Sequence, residues 1–148
     1  MKRLNFLILS FVLLTFMACD YDHGINFTNN SPHDVYVYLG IVGRDLGGSL
    51  YPDTAVSRVR AGVLFKQGES KHFTYSRKKN DPWVGTLSLF IFDADTFNTY
   101  SWEEIQDGYK ISQRYDLTRE DLRMLNRKIT YPPDERMRGM KMYPPFGQ

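Results

Sequence analysis

The run Leu87-Ser88-Leu89-Phe90-Ile91-Phe92 is apolar at every position but one. A strand of that kind has no polar face to turn to water, so it reads as central and covered on both sides. The rest of the chain must therefore supply at least two layers around it. Ile25 and Phe27 alternate with polar residues, Asn29-Asn30-Ser31-Pro32 punctuates, and Val35, Val37, Leu39 and Ile41 then alternate with Tyr36, Tyr38 and Gly40. This pattern predicts two paired strands, the second with its aliphatics toward the core and both tyrosines on the opposite face, their hydroxyls within reach of water. Strand signals at Val63-Leu64-Phe65 and His72-Phe73-Thr74-Tyr75, separated by Gln67-Gly68-Glu69, predict a hairpin. The stretches 43–55 and 77–82, rich in Gly, Pro and charge, read as loops.

Two helix starts are legible. Ser101 with Glu104 and Thr118 with Asp121 have the spacing of capping boxes, flanked by the apolar pairs Tyr100/Ile105 and Leu117/Leu122 that form hydrophobic staples. The first helix should end by Gly108, and the second should bury Leu122 and Leu125. Weaker strand signals fall at 111–115 and 128–131, and Pro132, Pro133, Pro144 and Pro145 mark the end of the chain. The expected fold is mainly β, a small two-sheet sandwich with one or two short helices in the C-terminal half, with α+β as the alternative.

Cys19 is the only cysteine. It follows Lys2 and Arg3, an apolar run from Leu4 to Met17 broken by Asn5, Ser10 and Thr15, and the small residue Ala18. The uninterrupted apolar stretches are shorter than the roughly 20 residues that span a bilayer, so the segment reads as a signal peptide. The junction resembles the lipobox of bacterial lipoproteins, with Phe16 and Met17 where a leucine and a small residue are more usual. The resemblance implies cleavage before Cys19 and lipid on its sulfur. Residues 1–18 are then signal, 19–24 the lipidated cysteine and a tether, and 25–148 a single mainly β domain with an extended proline-containing tail. That length suits one domain and not two. Removing Lys2 and Arg3 brings the 19 basic side chains level with the 17 acidic ones, which leaves no large electrostatic footprint for nucleic acid. A free thiol in an oxidising compartment is a liability that thioether acylation removes. At about 0.8 kcal/mol per buried methylene, two or three acyl chains make the membrane a lasting partner.

Several stretches carry a wider resemblance: Asn29-Asn30-Ser31 leading to Asp34-Val35-Tyr36-Val37-Tyr38, Tyr51-Pro52-Asp53-Thr54, Phe90-Ile91-Phe92-Asp93-Ala94-Asp95-Thr96 leading to Tyr100-Ser101-Trp102, Arg114-Tyr115-Asp116-Leu117, and Ile129-Thr130-Tyr131-Pro132-Pro133-Asp134-Glu135. Together they are similar to a group of short lipoproteins, without an assigned activity, from gut-type Gram-negative anaerobes. The likeness implies fold and compartment, a lipid-anchored protein of the outer membrane on its periplasmic face or at the cell surface, and it transfers no catalytic residue. Asp20 and Asp22 loosely resemble a surface-export signal of such lineages, whereas in enteric-type sorting Asp20 would resemble an inner-membrane retention signal.

Asp93-Ala94-Asp95-Thr96 superficially resembles the aspartate motif of haloacid-dehalogenase-type phosphatases. Its threonine comes one position early, and the chain is too small for the parallel α/β domain that motif needs, so a polar turn is the better reading. Asp93, Asp95 and Glu104 fall at calcium-loop positions one, three and twelve, but Phe97 takes a ligand position and Asn98 replaces the glycine, leaving Glu104 to its capping box. His23, His33 and His72 are too dispersed for zinc. No nucleophile elbow is present. No catalytic residue, metal site or cofactor is therefore assigned. Tyrosine and tryptophan are abundant, and Trp83, Trp102, Tyr36 and Tyr38 are the candidate ligand contacts, with sheet-face packing the plainer role. Arg77-Lys78-Lys79 reads as a solvated turn, and Asp53-Thr54-Ala55 resembles an O-glycosylation acceptor. The Met-rich basic tail 135–148 suits either docking on a partner or packing on its own domain. The expected function is a lipid-anchored, non-enzymatic envelope module that binds a protein or glycan. The alternatives are a small carboxylate hydrolase and an accessory subunit of an envelope complex.

Overall fold

Alternating residues become layers in the computed structural model, which describes residues 24–43, 62–74 and 85–148. In chain order these form β1 (Gly24–Asn29), β2 (Val35–Gly43), β3 (Val63–Phe65), β4 (Ser70–Thr74), β5 (Gly85–Asp93), α1 (Ala94–Thr99), α2 (Trp102–Asp107), β6 (Gln113–Leu117), α3 (Arg119–Met124), β7 (Lys128–Tyr131) and β8 (Met142–Tyr143). One sheet has the order β4-β1-β7 and the other β3-β2-β5-β6-β8. Every pairing is antiparallel except β1 with β7. Ile25, Phe27 and Ile129 of the first sheet pack with Val35, Val37, Phe65, Leu87, Leu89 and Ile91 of the second in one buried cluster. The fold is thus mainly β, a two-sheet sandwich.

The apolar run lies at the centre of β5, between β2 and β6. Leu87, Leu89 and Ile91 enter the inter-sheet core, while Phe90 and Phe92 join a second cluster on the outer face. All five are fully buried, and a side chain of this size contributes about 1.5–3 kcal/mol when removed from water. On β2 the aliphatics Val35 and Val37 face inward and Tyr36 and Tyr38 outward, as their alternation predicts.

Two expected pairings are corrected. β1 does not pair with β2, nor β3 with β4: β1 pairs with β4, and β2 with β3. Both connections are corners that carry the chain from one sheet to the other, and both are tied to Asn29, which is fully buried. Its side-chain Nδ2 donates to the carbonyls of His33 (2.7 Å) and Phe65 (3.3 Å), and its Oδ1 accepts from the backbone N–H (3.0 Å) and hydroxyl (2.7 Å) of Ser31. Its backbone bonds the other corner, accepting from Gly68 at 2.7 Å and donating to Glu69 at 3.0 Å. Gly68 sits at a φ of +75°, where a side chain would be strained. Hydrophobic period reports which way a side chain faces, not which strand lies beside it.

Both capping boxes form: Ser101 and Glu104 close one at α2, Thr118 and Asp121 the other at α3. α1 is additional. Asp93 caps it by accepting from the N–H groups of Asp95 (3.0 Å) and Thr96 (3.1 Å), so the expected polar turn is the start of a six-residue helix. Apart from Ala94 its residues are poor helix formers. Phe97, seated against Tyr36 at 4.6 Å and Tyr38 at 5.7 Å between ring centres, holds it down. The C-terminal residues return to the domain, with Met137 fully buried, β8 paired to β6, and the Arg138 guanidinium over the Phe146 ring.

Candidate functional site

Tyr36, Tyr38 and Trp102 converge on the outer face of the five-stranded sheet, around Phe92 and Phe97. Tyr38 meets Phe92 edge-on at 5.6 Å, and Trp102 meets it at 6.0 Å. Tyr38 is only 7% exposed. Burial raises its phenol pKa, and its hydroxyl is hydrogen-bonded to the backbone of Gly62. A Cβ on Gly62 would come within 2.5 Å of that ring, so a glycine there lets the chain pass close. The Trp102 Nε1 is buried with no hydrogen-bond partner among the described residues. Tyr38 and Trp102 therefore serve packing in this structure. Trp83, Cys19, Asp53-Thr54-Ala55 and Arg77-Lys78-Lys79 lie outside the described residues.

Tyr36 is placed differently. It is half-buried and, with its cross-strand partner Leu64, forms the apolar side of a cleft of about 330 Å³. The β1–β2 corner contributes His33 and Asp34, and the junction of β5 and α1 contributes Asp93, Asp95 and Asn98. Hydrogen bonds set the two walls. Asp34 Oδ1 accepts from the Gln67 N–H at 3.0 Å, its carbonyl accepts from Ala94 N–H at 3.0 Å, and the Asp93 N–H donates to Ser112 Oγ at 2.9 Å. The lining thus holds three carboxylates, one imidazole and a tyrosine ring, with no lysine or arginine. Such a surface accepts hydrogen bonds from hydroxyl or cationic N–H groups and offers a ring face for stacking.

His33 and His72 lie on separate elements, the corner and β4, and Asp93 and Glu104 each serve a helix cap. Among the described residues no group of three or more His, Cys, Asp or Glu side chains is arranged to hold a metal ion.

A polar cluster that the sequence reading did not single out occupies the other half of the outer face. Ser88, the one polar residue of the central run, donates to Asp116 Oδ1 at 2.7 Å. Arg114 grips both carboxylate oxygens, Nε to Oδ1 at 2.9 Å and Nη2 to Oδ2 at 2.9 Å, while its guanidinium covers Phe90. All three polar residues are buried. The signal was present as Arg114 and Asp116 two apart on a strand, with Ser88 opposite Asp116 in register.

Comparison with family models, curated proteins and solved structures returned no match. Among the described residues no helix is long and apolar enough to cross a membrane.

Proposed function

We propose that this protein is a lipid-anchored envelope lipoprotein whose sandwich is a non-enzymatic binding module, with the cleft beside Tyr36 as its contact site for a glycan or a protein segment. The anchor rests on Cys19 and the apolar segment before it. The observation that carries the binding role is the half-buried Tyr36 ring standing beside Asp34, Asp93 and Asp95 in one cleft. A sugar matches it with an apolar C–H face for the ring and hydroxyl donors for the carboxylates, and a lysine or arginine side chain matches it by charge. The same carboxylates favour a second reading, hydrolysis. Asp93 is committed to capping α1 and Asp34 to holding the 66–69 turn, which favours recognition.

The test is mild crosslinking and co-purification of the tagged protein from its native membrane, with Cys19→Ala, Tyr36→Ala and Asp95→Asn variants. Loss of the protein from the membrane in Cys19→Ala, and of its partner in the folded cleft variants, is expected. A partner retained by both cleft variants overturns the cleft assignment. Turnover of a glycan by the wild type that Asp95→Asn abolishes would move the assignment to the hydrolase.

A further inference from the structure

We infer that the domain stands on the membrane at the end of the sandwich where β1 begins, with Arg119, Arg123 and Lys128 toward an anionic lipid surface, and presents the cleft at the opposite end. The inference rests on the lipid anchor at Cys19 proposed above.

Gly24, the first residue of β1, is five residues beyond Cys19. At about 3.5 Å per residue the intervening chain reaches at most about 17 Å. β1 then runs from Gly24 to Asn29, a further rise of about 17 Å, before the corner that delivers His33 and Asp34 to the cleft. The cleft therefore lies a full strand away from the point where the lipid enters. Parallel pairing fixes what surrounds the entry point: Asn26 stands opposite Lys128 and donates to the Arg127 carbonyl at 2.8 Å, which brings the end of α3 to the start of β1.

The tether alone would let the domain lie on its side. Charge selects the upright arrangement. Among the described residues of the entry end Arg119, Arg123 and Lys128 are exposed and Arg127 is half-buried, against the acids Asp121 and Glu120, the latter ion-paired with Arg123 at 2.6 Å. At the far end three carboxylates line the cleft with no lysine or arginine among them. An anionic surface attracts the first end and repels the acidic cleft, and the attraction acts within about one Debye length, roughly 10 Å, of the headgroups, a separation inside the reach of the tether. Met124, among the described residues the most exposed large apolar side chain at 61%, sits on the same basic end and suits insertion among headgroups.

The experiment uses the acylated full-length protein in phosphatidylethanolamine vesicles with and without phosphatidylglycerol. Because acylation consumes the only native thiol, a cysteine added by Met124→Cys or by Gln67→Cys is the sole site for a fluorophore. Gln67 is exposed and lies at the cleft end. With a quencher on the lipid headgroup, the label at 124 should be quenched several-fold more than the label at 67, and Arg119→Glu with Lys128→Glu should erase most of that difference in the anionic vesicles. Equal quenching at both sites, or stronger quenching at 67, overturns the orientation while leaving the anchor intact. Purified protein that lacks the acyl mass overturns the anchor and the orientation with it.

Discussion

The two faces of β5 are built from the same strand and differ in kind. The inner face meets the three-stranded sheet through Leu87, Leu89 and Ile91, and its neighbours are aliphatic or methionine apart from Phe27, Phe65, Phe73, Tyr115 and Tyr131. The outer face divides in two. One half is aromatic, where Phe90 and Phe92 meet Tyr36, Tyr38, Phe97 and Trp102, and the other is ionic, where Ser88 meets Asp116 and Arg114. A sheet covered by a second sheet can be closed by shape alone. A sheet covered by two helices of six residues and connecting chain needs bulky rings and paired charges to exclude water, and the edge of that cover is where the cleft opens. The inner layer is thus closed by shape, and the cleft lies where the outer layer ends.

Asp116→Ala should have the largest effect. It leaves the Arg114 guanidinium buried without its carboxylate, for a loss of about 3–5 kcal/mol in urea unfolding. A loss below about 1 kcal/mol would mean that the ionic half is wet and that the outer face is not a second core. Leu89→Ala, in the fully buried inner layer, should cost about 3 kcal/mol. Phe97→Ala should cost only about 1–2 kcal/mol because that ring is half-buried. Equal losses at 89 and 97 would erase the distinction between the two layers. Ser101→Ala should cost about 1 kcal/mol by removing one helix cap, read as a shift in melting temperature.

Alkaline titration sharpens the contrast without mutation. Burial raises the phenol of Tyr115 on the inner face and, less strongly, that of Tyr38 on the outer face, both above the usual 10.0. The folded state holds both neutral while the unfolded chain ionises them. Their contribution to stability is therefore complete below about pH 10 and is lost as the pH rises toward the folded-state values. Tyrosinate absorbance should show the Tyr115 step coinciding with loss of tertiary circular dichroism, and Tyr115→Phe should remove that step. A Tyr115 that titrates in the intact fold would show the inner core to be open to water.

What could be read from the chain was local. The run 87–92 announces a strand covered twice, the alternation of Val35 and Val37 with Tyr36 and Tyr38 assigns each residue to its face, and Ser101/Glu104 and Thr118/Asp121 start their helices where spacing places them. Each of these depends on residues within a few positions of one another. α1 was not legible because all its residues but Ala94 have low helix propensity and its stability comes from Phe97 packing on distant strands.

Of the nominated contacts, Tyr36 and Tyr38 are indistinguishable in sequence. Burial under Phe97 and Gly62 gave one to packing, and the neighbouring corner gave the other to the cleft. The sequence by itself determined the residues that turn inward and the two helix starts. Only the tertiary structure decided which strands are neighbours, which carboxylates share a cleft and which end of the sandwich each lies on. The reason is physical: facing direction and capping are set by geometry over a few residues, whereas strand partnership and the convergence of side chains depend on corners such as Asn29, whose bonds join segments 36 residues apart.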